Sequence, residues 1–407
     1  MTENDGSIVE SNDFIKLMNS WTIPRLAGSP GSYKIVELVK EDFKTFDFQF
    51  TEQTFSVFKS DTSFRQPWKF LVMAILFSGF LLLFWFAFWW SLLAILFIGI
   101  YATRLKKFPR CSEICSKRIE KISNSEEKVG FKQSNLIYRK KPKKERKCSI
   151  LLLAHHDSKS QTFPTMIRVY TAFTLVIVFL IIAVLYVFCV VLEIFGITQH
   201  LWLRPLTFIL GWVNVAVFLI LSANRISNKS LGALDDASGI YVLWKTAKLL
   251  ENVSLENCEV WLVITGAEEI GQIGAADFII KFKAELDPKT TFAINFEMIG
   301  LKNNPLSAIK SYSFPYKHQI SPFLFPLTKK LSYELEIDLK GWYLPIGAHT
   351  DGHLFRKEGF KAIDFVVKKA GKYTHLPKDT FDLIDPKLIN DQARVNVALI
   401  QELDKIF

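Results

Sequence analysis

Three stretches without a single charged residue constrain this chain most: residues 70–101, 169–192 and 205–224, of 32, 24 and 20 residues. An apolar helix of roughly 17–25 residues crosses a bilayer. The other 331 of the 407 residues carry all 90 Lys, Arg, Asp and Glu. Their charge density is then close to the roughly 25% of soluble proteins. This composition excludes intrinsic disorder and predicts a soluble domain interrupted by membrane segments. The second and third windows are separated by 12 residues, enough to turn the chain back, so they predict a helical hairpin. The first window is long for one upright helix and short for two. Its middle holds W-F-A-F-W-W, with Trp85, Trp89 and Trp90. Tryptophan favours the membrane–water interface, so a turn there between two short spans is expected, against the alternative of one tilted helix.

The net charge of +10 is local, because residues 102–147 hold 16 Lys/Arg against 5 Asp/Glu. The remainder is near neutral and lacks the basic field of a nucleic-acid binder. Lys69, Arg104, Lys106, Lys107, Arg168, Arg225 and Lys229 flank the non-turn ends of the windows, and the turns hold only Glu193 and Arg204. The positive-inside rule then predicts the polar parts on the cytoplasmic face. Residues 102–147 are expected either as a solvated basic loop or resting on anionic headgroups. The windows contain no acidic, basic or histidine residue, which weighs against a transporter. Five scattered cysteines predict no disulfide framework and favour a reducing compartment, with Cys111 and Cys115 as ordinary thiols. The polar, acidic N-terminus M-T-E-N-D-G-S is not a signal peptide.

Outside the windows, continuous apolar runs predict buried strands at residues 148–155, 259–265, 290–296 and 361–367. Helical patterns fall at 33–46, 236–250, 268–282, 321–332 and 386–406. Alternating strands and helices predict an α/β layered sheet. Sites in such sheets form beyond the carboxyl ends of the strands, and there the polar residues gather. A-H-H-D-S carries His155, His156 and Asp157, and G-A-L-D-D-A-S-G carries Asp235 and Asp236. T-G-A-E-E-I-G carries Glu268 and Glu269, N-F-E-M-I-G carries Glu297, and T-H-L-P-K-D-T carries His375 and Asp379. Each motif alone reads as surface or capping chemistry. Together they predict buried carboxylates that need compensating positive charge. No Lys or Arg is interleaved in the first four motifs, so metal ions are expected to supply it, with zinc suited to the His/Asp/Glu donors.

Taken in order, these motifs resemble the co-catalytic zinc aminopeptidases of metallopeptidase family twenty-eight, relatives of leucyl aminopeptidase, glutamate carboxypeptidase and glutaminyl cyclase. R-L-A-G-S-P-G at residues 25–31 resembles the family's N-terminal motif. The resemblance implies a mixed central sheet flanked by helices, two Zn2+ ions and a peptide substrate. It implies His155 and Glu297 on one ion, Glu269 and His375 on the other, and Asp235 bridging them. Glu268 would be the general base, Asp157 would orient His155, and Asp236 would shape its loop. His156, His353 and Asp351 are expected in structural roles, and His200 and His318 at the surface. Glu297 stands where the family more often has Asp, and Tyr373 lies one place early for an oxyanion-stabilising tyrosine.

The segments of one folded domain must share one side of the membrane, so each insertion must cross an even number of times. This predicts an N-terminal part of the peptidase domain at 1–68, a transmembrane hairpin at 69–105, a basic segment with the first ligand strand at 106–165, a second hairpin at 166–224, and the rest of the domain at 225–407. About four spans follow. The functional expectation is a membrane-anchored di-zinc aminopeptidase. The alternatives are glutaminyl cyclase-like or N-acyl amino-acid hydrolase chemistry on the same site, or a non-enzymatic receptor-like relative.

Overall fold

The computed structural model describes residues 3–62, 67–105, 114–124, 126–197, 202–312, 318–344 and 350–407. Cys111 and His200 lie outside them. The chain divides into two compact units: residues 1–62, 110–160 and 227–407 form the first, and residues 63–109 and 161–226 the second.

The first unit is a mixed sheet flanked by helices. Its principal strands are β1 (Gln49–Phe58), β2 (Val129–Lys140), β3 (Cys148–His155), β4 (Cys258–Thr265), β5 (Thr291–Glu297), β6 (Leu306–Tyr312), β7 (Leu339–Leu344) and β8 (Lys361–Val366). Their spatial order is β1-β2-β4-β3-β5-β8-β6-β7. β4, β3, β5 and β8 run parallel as neighbours, while β1 and β2 pair antiparallel at one edge. The parallel centre explains the unbroken apolar runs: every residue of β3 and β4 is buried, because helices cover both faces. Parallel register also brings the ends of β3, β4 and β5 to one sheet edge, with His155 opposite Thr265.

Two elements depart from the sequence reading. The antiparallel pair β1–β2 has no counterpart in the apolar runs of the sequence. β1 alternates in part between buried and open positions, as suits a strand with one solvated face, while β2 buries the run Gln133–Tyr138, which begins with three polar residues. The helix expected from residue 268 starts only at Ile273. Ala267, Gly271 and Gln272 take positive φ, which no continuous helix tolerates, so Glu268 and Glu269 stand on a tight turn.

Cys148 and Cys258 sit in register on neighbouring strands and form a disulfide, with Cα atoms 4.6 Å apart. Widely spaced cysteines gave no sign of it, since only the crossover between β3 and β4 joins them. The bond removes the cysteine argument for a reducing compartment. Cys115 is a buried free thiol, pushed up to about 12 chiefly by burial.

In the second unit, helices Trp68–Phe86, Thr165–Ile194 and Leu203–Ser222 are each long and apolar enough to cross a membrane. The first is followed after residues 87–89 by a shorter apolar helix, Trp90–Leu105. Arg204 accounts for the break: its guanidinium donates to the carbonyls of Phe84 (3.0 Å) and Trp85 (2.9 Å), satisfying acceptors that a helix end leaves free. Helices Trp68–Phe86 and Leu203–Ser222 pack closely at Gly211, where a Cβ would stand 2.3 Å from Leu81 Cδ2.

Candidate metal centre

Sheet polarity places the motif residues at one edge. His155 ends β3, Glu297 ends β5, and the Glu268–Glu269 turn follows β4. Asp235 and Asp236 lie in the bend that opens helix Ser238–Leu250, and the peptide bond between them is cis. His155, Asp157, Asp235, Asp236, Glu268 and Glu269 are buried.

Asp235 is the hub. Its Oδ1 lies 3.1 Å from His155 Nε2, and its Oδ2 lies 3.1 Å from His375 Nε2. His375 Nε2 is also 3.1 Å from Glu269 Oε1. Donor atoms of Asp235, Glu269 and His375 all lie within 4.8 Å of one another. His155 joins through the other oxygen of Asp235, and Glu297 adds its carboxyl nearby, where Glu268 and Asp235 repel its charge.

The surrounding polar groups fix the backbone that carries these donors. The Asp157 carboxylate accepts the N–H of Glu268 (3.0 Å) and of Glu269 (3.1 Å). The Asp157 carbonyl, rather than its carboxylate, accepts from His155 Nδ1 at 3.0 Å; its Oδ1 stands 3.6 Å from that nitrogen. Asp157 therefore shapes the Glu268–Glu269 turn as well as the His155 ring. Asp236 accepts the N–H of His155 (3.2 Å) and Gly239 (3.1 Å). Asp379 accepts the N–H of Leu234 (2.6 Å) and Asp235 (3.2 Å). Asp351 accepts from Thr265 Oγ1 at 2.6 Å, His156 hydrogen-bonds the Ser134 carbonyl at 2.9 Å, and Tyr373 packs on the hydrophobic core.

Two cations belong to the cluster, which corrects the expectation that metal alone balances the acids. Lys159 directly follows A-H-H-D-S, is buried, and donates to Glu269 Oε2 at 2.5 Å. Arg25 is fully buried. Its guanidinium donates to the carbonyls of His156 (2.6 Å), Leu231 (2.5 Å) and Gly232 (2.7 Å), and more weakly to Trp21 and Ile23. It ties the N-terminal loop, the end of β3 and the approach to Asp235 together. Gly232 adopts φ +64°, and a Cβ there would lie 2.7 Å from Arg25 Nη1. No apolar period marks either cation; only the position of Lys159 beside the first motif hinted at it.

The electrostatics separate the acids. Burial, then Glu269 and Asp351, hold the Glu268 carboxyl well above its usual range. Burial also opposes ionisation of Glu269, but His375 and Lys159 outweigh it and bring that group down to about 2. Asp235 is likewise held low by both histidines despite burial. The donor set fits a divalent zinc ion: imidazole and carboxylate atoms of Asp235, Glu269 and His375 converge within 4.8 Å.

The mixed α/β sheet, with His, Asp and Glu gathered at its carboxyl edge, has a fold also found in known proteins. Residues 214–400 match the profile of Peptidase family M28. The match includes Asp235, Glu268, Glu269, Glu297 and His375, and His155 precedes it. Residues 214–400 are thus similar to the M28 family, in line with the resemblance seen in the motifs. Among solved structures, a glutaminyl cyclase of Fimbriiglobus ruber aligns over 95% of this chain and 92% of its own, with 16% identity and TM-score 0.52. An aminopeptidase of Aneurinibacillus sp. strain AM-1 aligns over 97% and 93%, with 16% identity and TM-score 0.52. A zinc aminopeptidase of Bacillus subtilis aligns over 96% and 93%, with 13% identity and TM-score 0.53. At these identities the likeness establishes the fold. No curated protein sequence matches significantly.

Proposed function

We propose that the protein is a membrane-anchored zinc hydrolase, acting as a di-zinc aminopeptidase on peptides. The observation that carries this is the division of Asp235, with one oxygen facing His155 and the other facing His375 beside Glu269. A carboxylate divided in this way could serve two metal positions, one held by His155 and Glu297 and the other by Glu269 and His375. When bound, zinc supplies Lewis-acid polarisation of the scissile carbonyl and a more acidic water. Glu268 is the proton carrier. Its carboxylate takes the proton from the attacking water and returns it to the leaving amine nitrogen. Burial, which raises its pKa, suits a group that must hold that proton between the two events. Asp157 sets the orientation of Glu268 through the backbone N–H it accepts.

The test is Glu268→Gln, assayed with an aminoacyl-nitroanilide panel. Zinc content at the wild-type level with hydrolysis reduced by about 10²–10⁴-fold, the usual worth of a positioned acid–base group, is expected. Full activity sinks the assignment.

The tight clustering of Asp235, Glu269 and His375 favours a second reading, cyclisation of glutaminyl peptides at one ion. One bound zinc per chain with cyclised product from glutaminyl peptides would select it over aminopeptidase action. The charges flanking the apolar helices predict the peptidase unit on the cytoplasmic face, whereas the Cys148–Cys258 bond favours an oxidising side. A topology tag at Phe407 decides between them.

A further inference from the structure

The hydrolysis described above gives Lys159 no role, yet its placement is specific. Lys159 is 5% exposed. Its ammonium touches Glu269 twice, at the side-chain Oε2 (2.5 Å) and at the carbonyl oxygen (3.1 Å). The other carboxylate oxygen, Oε1, stands 3.1 Å from His375 Nε2, within the donor cluster of Asp235, Glu269 and His375. One oxygen of Glu269 is thus committed to a cation and the other to the donor cluster. We propose that Lys159 is a built-in counter-charge of the metal centre: it fixes Glu269 as a one-oxygen donor and weakens the centre's hold on a divalent cation.

The physical argument has three parts. A buried ammonium is costly unless paired, so Lys159 stays with Glu269 while the fold is intact. A full positive charge so close to a donor repels an incoming cation in a site of low effective dielectric. A glutamate confined to one oxygen leaves a coordination position open, as catalytic centres require. Arg25 shows the contrast: its bonds run to backbone carbonyls, so its part is to hold the loops rather than a donor oxygen. Lys159 is therefore a positioning residue, acting through Glu269.

The proposal rests on the metal-centre reading, and its test separates the two. Full-length protein in detergent is titrated with zinc in a chelator buffer for wild type, Lys159→Met, Lys159→Gln and Lys159→Arg. Circular dichroism and melting temperature certify folding. The Gln variant keeps a hydrogen-bond donor without the charge, so it stands in if the Met variant does not fold. We expect the two neutral variants to bind zinc about tenfold or more tightly, with Lys159→Arg within about threefold of wild type. A merely structural lysine would give weaker zinc binding in the neutral variants. Unchanged or weaker binding there overturns the counter-charge and leaves the metal centre standing. Equal tightening in Lys159→Arg overturns it as well. Wild type that binds no zinc overturns both readings.

Discussion

Arg25 and Asp379 show how much of this centre is held by residues that donate nothing to a metal. Arg25 sends its N–H groups to carbonyls on three chain segments. Arg25→Met leaves several buried acceptors unpaired, at about 1–3 kcal/mol each. A total loss of about 3–5 kcal/mol is expected, read as a lower denaturant midpoint together with weaker zinc binding. Asp379 gives a pH signature. Burial lifts its carboxyl from 3.8 to about 7, against the backbone N–H groups of Leu234 and Asp235 that it accepts. The folded state then binds a proton that the unfolded state has released, so stability falls as pH rises from about 4 to about 7. The zinc-free protein should melt at progressively lower temperature over that range. Asp379→Asn should flatten the trend, and an unchanged slope would refute this role. At this scale the motifs marked the residues that gather around Asp235, because each follows an apolar strand or sits in a glycine-bearing loop. They did not expose Lys159 or Arg25. A buried cation looks like any surface cation until the fold shows which carboxylate or carbonyls surround it.

At the scale of elements, the central strands were legible because burial on both faces leaves an unbroken apolar run, as in Leu151–Ala154 within β3. The edge strands were not, because β1 mixes Gln and Thr with Phe and Val at a partly solvated edge, and β2 buries polar Gln133, Ser134 and Asn135. Of these, Gln133 donates to Ser32, and Asn135 to Gln53 and Gly274. The residues of the turn carrying Glu268 and Glu269 fit a helical pattern, so the sequence predicts a helix there. Positive φ at Ala267 and Gln272 is set by the packing around it, not by residue type. In the apolar unit, the contact of Gly211 with Leu81 yields a test. Gly211→Val drives its side chain into Leu81 and should cost about 1–3 kcal/mol by overpacking. The expected result is a lower melting temperature in detergent with zinc affinity unchanged, since no donor lies in that unit. An unchanged melting temperature would contradict the close packing.

For the whole molecule, the apolar windows and the catalytic motifs interleave along one chain. The helices Thr165–Ile194 and Leu203–Ser222 fall between His155 and Asp235, yet those two residues meet at 3.1 Å. The basic surplus is also partly internal. Arg139 and Arg146 bind Glu259 and Glu285, so these positive charges of residues 102–147 serve the fold of the first unit. Composition could locate the charge but not its partners, which lie more than a hundred residues away.

The central claim is that Asp235 joins the donors into one zinc centre. The most direct test is zinc titration of wild type and Asp235→Asn, read by elemental analysis after dialysis. The account predicts zinc retained by wild type and lost from the variant, with the fold intact by circular dichroism. Equal zinc in both proteins would contradict it.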